Sequence, residues 1–268
     1  MATFISKNAD VHPDAQIGED AYIGPFCVVG PKATIGDRTR LDNSVTIAGK
    51  VTIGSDNKFS PYCVIGGEPQ DISYSGAETE VVIGDNNVFR ESVTVNRASE
   101  KEDGITSVGN DGYYMACVHI AHDCKVGDRV VMANASVLGG HVHVHDRATI
   151  SGMVAIHHFA SVGTYSFVGG VSRALHDVPP YMLVEGVPTK PRCVNVVALK
   201  RNDFPSDVIK ALTEAHKLLY RQKVGVDNAR EILSGKHLLV PAVMTLFSFL
   251  DHQQAGRNGR GRDRRKAA

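Results

Sequence analysis

From Ile5 onward, every sixth residue of this chain is apolar: Ile5, Val11, Ile17, Ile23, Val29, Ile35, Leu41, Ile47, Ile53, Phe59 and Ile65. The same phase returns at Ile83, Phe89 and Val95. After a slip of one residue it runs from Val108 through Tyr114, Ile120, Val126, Met132, Leu138, Val144, Ile150, Ile156, Val162 and Val168 to Ala174. Six is not a helical period. Two places before many of these positions stands a small or β-branched residue, among them Ala15, Ala21, Cys27, Ala33, Cys63, Val118, Cys124, Ser136, Ala148 and Ala160. Alternating inward positions describe short strands. Gly often follows the apolar residue, as in Ile17-Gly18 and Val126-Gly127, and reads as a corner after each strand. Three such sides close a triangular parallel β-helix of 18 residues per coil, its coils stacked about 4.8 Å apart.

Composition agrees with such a core and narrows the partners. The chain has no Trp and only 6% aromatic residues, so its interior must be built from small branched side chains. With 43% apolar and 22% charged residues, wholesale disorder is excluded. Lys plus Arg number 29 and Asp plus Glu 29, a balance that argues against a nucleic-acid-binding surface. The five cysteines form no CxxC pair and are odd in number, which points to a reducing compartment. Cys27, Cys63 and Cys124 fall at the small inward position and read as core filler. The N-terminus lacks a basic-then-apolar leader. The most apolar stretch, Leu238–Leu250, is broken by Pro241 and is shorter than the roughly 20 residues of a bilayer span. A soluble, cytoplasmic protein is expected.

Two interruptions divide the repeats. Residues 67–80 keep the phase but carry no hexads, and residues 97–106 include the extra residue. Both read as loops leaving the coil, and insertions in a solenoid mark its working face. The expected organisation is a β-helix over 1–189, a small helical domain over 190–255 and a flexible basic tail over 256–268. In the helical domain Ser206 is a candidate cap for a stripe of Val208, Leu212, Ala215 and Leu219.

Seven of the twelve histidines lie between His119 and His158. The 18-residue coil stacks His122 on Gly140 and His158, and Asp123 on His141, so that these residues and His157 share one strip. An exposed imidazole can act as a base near neutral pH. A Gly N–H free of side-chain cover can donate to an oxyanion, and Asp123 can orient an imidazole. Clustered histidines are also zinc ligands, and spacing alone leaves base and ligand both open. His143 and His145 alternate with Val142 and Val144 and read as outward polar residues of a strand. A zinc-dependent hydratase of the carbonic anhydrase kind and a non-catalytic β-solenoid that binds a carrier protein are the competing functions.

The stretch His119-Ile120-Ala121-His122-Asp123-Cys124 resembles the active-site segment of the UDP-N-acetylglucosamine O-acyltransferases, which open lipid A biosynthesis. His12-Pro13, Ile23-Gly24-Pro25-Phe26-Cys27, Arg90-Glu91-Ser92-Val93-Thr94, Gly139-Gly140-His141-Val142, Asp177-Val178-Pro179-Pro180-Tyr181, and Asn195 with Leu199-Lys200-Arg201 match in order. Together they cover about residues 1–220. The resemblance implies a left-handed β-helix with a C-terminal helical domain, a homotrimer with sites between neighbours, and no metal or coenzyme. It implies transfer of a 3-hydroxyacyl group from the phosphopantetheine arm of acyl carrier protein to the glucosamine 3-hydroxyl of UDP-N-acetylglucosamine. His122 would be the general base, Asp123 its orienting partner and Gly140 the oxyanion donor. His119, His141, His157 and His158 would line the cleft, while Gln70 and Asp71 would contact the nucleotide sugar. Asn195 and Arg201 would hold phosphopantetheine or nucleotide phosphates, and Gly170 would leave room for a long acyl chain. Ser73 stands where the family commonly has Lys, so a cation near the substrate is expected to be missing.

Overall fold

The computed structural model describes residues 2–263. The hexads become strands, most of two residues, that wind into three parallel faces of a triangular prism. The first face has eleven strands, from Phe4–Ile5 to the hairpin Met182–Glu185 and Lys190–Val194. The second has nine, from Asp10–Val11 to Arg173–Ala174, and the third eight, from Gln16–Ile17 to Ser161–Val162. The fold is a left-handed parallel β-helix with helices at its C-terminal end.

Register is set by the stacked apolar positions. Leu41 pairs with Phe59, Phe59 with Phe89, and Phe89 with Tyr114. The spacing in sequence therefore changes from one coil to the next while the spacing in space does not. Phe59, Phe89 and Tyr114 are fully buried and stack face to face, with centroids 4.6 and 4.7 Å apart. Cys27, Cys63 and Cys124 are buried as expected, and burial pushes the Cys63 and Cys124 thiols up to about 12.

The glycines after the apolar positions have a different cause from the one expected. Left-handed backbone occurs three residues past the strand, at Asp20, Arg38, Asp56 and their successors. The glycines themselves answer a close approach. A Cβ on Gly109 or Gly127 would lie 2.4 or 2.2 Å from Oδ1 of Asp128 or Asp146 in the next coil. Those carboxylates accept the backbone N–H that follows each glycine, Asn110 N at 2.7 Å and Asp128 N at 2.9 Å. Asn110 and Asp85 repeat the arrangement above them. This ladder satisfies corner donors that no strand reaches.

The helical domain starts after the hairpin strand Lys190–Val194, with α1 (Val196–Arg201), α2 (Ser206–His216), α3 (Val226–Gly235) and α4 (Pro241–Ala255). Pro205, not Ser206, occupies the N-cap of α2, because its fixed φ suits the entry and Ser206 already lies inside the helix. Leu212 and Ala215 of the expected stripe are buried, with Val208 and Leu219 packed against them. His143 points outward from its strand, as expected. It and His145 face α4 across a cavity that Met244, Phe249 and His252 also line. Residues 256–263 are not a loose tail either. Asp177 accepts from Gly261 N at 2.7 Å, Arg260 donates to the Leu175 carbonyl at 2.8 Å, and Arg260 and Asp263 form a buried ion pair. The remaining basic residues, 264–268, lie outside the described residues.

Phe89→Ala is expected to cost about 3–5 kcal/mol by removing the middle ring of the stack. A lowered thermal midpoint with retained β-sheet circular dichroism would show this, and an unchanged midpoint would contradict it.

Candidate active site

The edge between the second and third faces collects what the other two edges lack. Both long loops leave the coil here: one joins Val64–Gly67 to Glu80–Ile83, the other Thr94–Asn96 to Ile105–Val108. One coil on, the same edge carries His122 and Asp123 between the strands His119–Ile120 and Lys125–Val126. The next coils bring Gly139-Gly140-His141 and then His157-His158-Phe159. The backbone bonds His141 N to the His122 carbonyl and Phe159 N to the Gly140 carbonyl lock these rows in register, at 3.0 and 3.1 Å.

The row positions decide the geometry. Asp123, His141 and Phe159 each sit at the left-handed corner position, with φ near 60°. Asp123 is fully buried and its Oδ2 lies 2.7 Å from His122 Nδ1. Its carboxylate also accepts the Ser99 hydroxyl at 2.7 Å and the Ser99 N–H at 3.1 Å, both from the second loop. Burial opposes charge on Asp123, but the bonds from His122 and Ser99 outweigh it and hold the carboxyl below the usual carboxylate range. A charged Asp123 favours the His122 tautomer that carries its ring proton on Nδ1.

Gly140 lies directly against that imidazole. A Cβ there would stand 2.5 Å from His122 Cε1 and 2.6 Å from Nε2. Its N–H donates to no acceptor among the described residues. His141 is buried, stacks on Phe159 at 4.3 Å and meets His122 edge-on at 5.2 Å. Its Nε2 is 3.7 Å from Asp123 and its Nδ1 3.3 Å from Glu102. Burial pushes His141 below the ordinary imidazole range, against the pull of Asp123 and Glu102. His119 points outward one row above, its Nδ1 2.7 Å from Thr94 Oγ1, and burial followed by the nearness of His122 lowers it too. His157 and His158 touch each other, with ring centroids 3.8 Å apart. His122, Asp123 and His141 also bring one donor atom each within 4.8 Å of one another.

Gln70 and Asp71 stand in the first loop, above the same edge. Asp71 is gripped by Lys101 of the second loop and by the Ser73 N–H and hydroxyl, and these bonds hold it well below the usual carboxylate range. Ser73 brings no cation, and Lys101, from a loop whose irregular sequence gave no sign of it, places one beside Asp71. Three further expected residues lie elsewhere. Asn195 caps α1 by accepting from Ala198 N. With Arg201, Arg129, Arg147 and Asn202 it lines a cavity of about 460 Å³ at the edge between the third and first faces. Gly170 is on the remaining edge, where a Cβ would have only ordinary contacts, 3.5 Å from Gly152 O and Ser151 Oγ. Within one chain the structure therefore joins the histidines, Asp123, Gly140 and both loops, and leaves Asn195, Arg201 and Gly170 apart. Ser99, Glu102 and Phe159 went unnoticed in the sequence. Phe159 follows from the 18-residue column of His141, whereas Ser99 and Glu102 sit in a loop with no period.

A parallel β-helix with a histidine–aspartate pair beside an open glycine N–H is the arrangement expected of a hexapeptide-repeat acyltransferase. Residues 177–261 match the family model described as UDP-N-acetylglucosamine O-acyltransferase, domain 2, and residues 5–100 match that of the GMPPB C-terminal domain. An acyl-[acyl-carrier-protein]–UDP-N-acetylglucosamine O-acyltransferase of Verminephrobacter eiseniae is 40% identical over 188 residues, 70% of this chain and 72% of that protein. The crystal structure of a UDP-N-acetylglucosamine acyltransferase from Bacteroides fragilis superposes with a TM-score of 0.90 at 32% identity, covering 92% of this chain and 97% of that one. Its counterpart from Francisella novicida gives 0.88 at 37%, covering 92% and 91%. The chain belongs to the UDP-N-acetylglucosamine O-acyltransferase family.

Gly140→Ala is expected to fold, because only a side chain must yield, yet to push the His122 ring aside. Displacement of this size costs about 100-fold in turnover. Steady-state kinetics beside a thermal melt would separate the two, and full turnover with a normal melt would refute the contact's importance.

Proposed function

We propose that this enzyme moves a 3-hydroxyacyl group from acyl carrier protein to the glucosamine 3-hydroxyl of UDP-N-acetylglucosamine, the reaction that opens lipid A biosynthesis. The observation that carries the reading is the His122–Asp123 pair, with its free Nε2 against Gly140, in a chain whose relatives are named acyl-[acyl-carrier-protein]–UDP-N-acetylglucosamine O-acyltransferases. His122 Nε2 takes the proton of the sugar hydroxyl as its oxygen attacks the thioester carbonyl. The new C–O bond leaves a tetrahedral oxyanion, to which the Gly140 N–H donates. Collapse breaks the C–S bond, and the imidazolium returns the proton to the phosphopantetheine sulfur. Asp123 stabilises that imidazolium through Nδ1. The donor's own thioester supplies the activated carbonyl, so the step draws on neither metal nor coenzyme. The relatives support neither the zinc hydratase nor the non-catalytic solenoid.

Around this centre, Gln70 and Asp71 recognise the nucleotide sugar, and His119, His141, His157 and His158 line the cleft. Asn195 and Arg201 hold phosphopantetheine or nucleotide phosphates in their arginine-rich cavity. Together with Gly170 these groups lie on three different edges of one prism, so a complete site needs neighbouring chains. The second face supports a homotrimer. From Val28 to Ala155 its outward residues are Val28, Thr46, Val64, Thr94, His119, Val137 and Ala155, with no charged side chain. Exposed Phe26, Tyr62, Met153 and Val171 flank it along one edge. A cytoplasmic location is part of the same reading, since the donor is a soluble carrier protein. Among the described residues no helix is long and apolar enough to cross a membrane.

Purified protein given UDP-N-acetylglucosamine and 3-hydroxyacyl carrier proteins should form the 3-O-acyl product, and His122→Ala should lower turnover by at least about 1,000-fold. No product from wild type with any donor length would overturn the reading. Gly170→Met is expected to shift preference toward shorter donors by at least tenfold in relative kcat/KM. An unchanged chain-length profile would remove Gly170 from the acyl groove.

A further inference from the structure

The catalytic edge is met from below by the C-terminal segment. Anchored by Gly261 on Asp177 and by Arg260 on the Leu175 carbonyl, this segment delivers Arg262 to the second loop. Arg262 donates to both carboxylate oxygens of Glu102, at 2.9 and 3.2 Å, and to the His141 carbonyl. Glu102 in turn faces His141 Nδ1, and His141 Nε2 faces Asp123. Arg262 and Glu102 are 18% and 28% exposed, buried enough for their charges to be felt over these distances. A continuous line of contacts thus runs Arg262, Glu102, His141, Asp123, His122, joining residues 140 positions apart in sequence.

We propose that Arg262 is a positioning residue for the catalytic pair, acting through Glu102 and His141. The inference rests on His122 as the base. The His141 ring faces Asp123 and His122 from the coil above, Glu102 from the second loop and Phe159 from the coil below, while Arg262 holds its backbone. With Arg262 in place, the charge of Glu102 is shared and His141 stays neutral. Asp123 is then left to His122. Without Arg262, the full charge of Glu102 favours a proton on His141. The resulting imidazolium competes for Asp123 and opposes the positive charge that His122 must acquire. Turnover should therefore fail at a higher pH than in wild type as the solution is acidified.

The test is the pH profile of kcat in wild type, Arg262→Ala, Arg262→Lys, Glu102→Gln and the double variant Arg262→Ala/Glu102→Gln. The acid limb of Arg262→Ala should move up by about one pH unit, the size of a nearby unscreened charge. Arg262→Lys, which keeps the charge, should move it less than half as far. Glu102→Gln should move it down, and the double variant should return it to within a few tenths of wild type. A purely structural role would leave the double variant at least as impaired as Arg262→Ala. Profiles of Arg262→Ala and wild type that superimpose, or a double variant no better than the single one, overturn the proposal. If Arg262→Ala does not fold, the direction of the Glu102→Gln shift decides alone. Wild type without acyl transfer, or His122→Ala with full transfer, would instead sink the functional reading.

Discussion

Everything in this protein hangs on the vertical fit of one coil on the next. A strand of two residues has no stability by itself. It persists because each backbone group meets a partner one coil away and each apolar side chain lies on another. The edge between the third and first faces would break this scheme, since N–H groups there point along the axis and meet no strand in the next coil. The ladder of Asp85, Asn110, Asp128 and Asp146 supplies acceptors there. The glycine that precedes each accepted N–H is what lets the acceptor side chain come close. Core and corner are thus one arrangement, repeated.

The same fit makes the site. Catalysis needs a base, its orienting carboxylate and an oxyanion donor held to within fractions of an ångström. In the proposed reaction they come from two consecutive coils, and the register that aligns Ile120 with Leu138 also aligns His122 with Gly140. The second loop adds Ser99 and Glu102 from outside, so that Asp123 and His141 are held from the coil and from the loop. The buried Asp123 carboxylate is stable here because it is bonded, to Ser99 and His122 above all.

Much of this was legible in the sequence because the period converts number into position. Adding 18 to His122 reaches Gly140, and adding 18 to Asp123 reaches His141, and the structure places both pairs in contact. The family resemblance then turned an ambiguous strip of imidazoles into an acyltransfer site. What stayed hidden lacks the period. Lys101, Ser99 and Glu102 belong to an irregular loop, and their partners are fixed by its path through space. Arg262 lies in a stretch whose composition, rich in Arg and Gly, reads as free chain. Its order depends on Asp177, more than eighty residues earlier, whose buried carboxylate accepts both Ser161 N and Gly261 N. His143 shows a related limit: alternation correctly turns it away from the core, but does not show that α4 comes back to face it.

The loops also have a meaning for how such a protein can change. The coil that carries the first loop is 30 residues from Phe59 to Phe89 and the next is 25 from Phe89 to Tyr114, yet the three rings stack as evenly as if no residue had been added. The prism counts turns, not residues. Mutation can therefore lengthen, shorten or rewrite the excursions at this edge while the barrel of coils beneath is copied unaltered. Under the proposed function, selectivity for the acceptor and the durability of the scaffold can then be inherited as nearly independent traits.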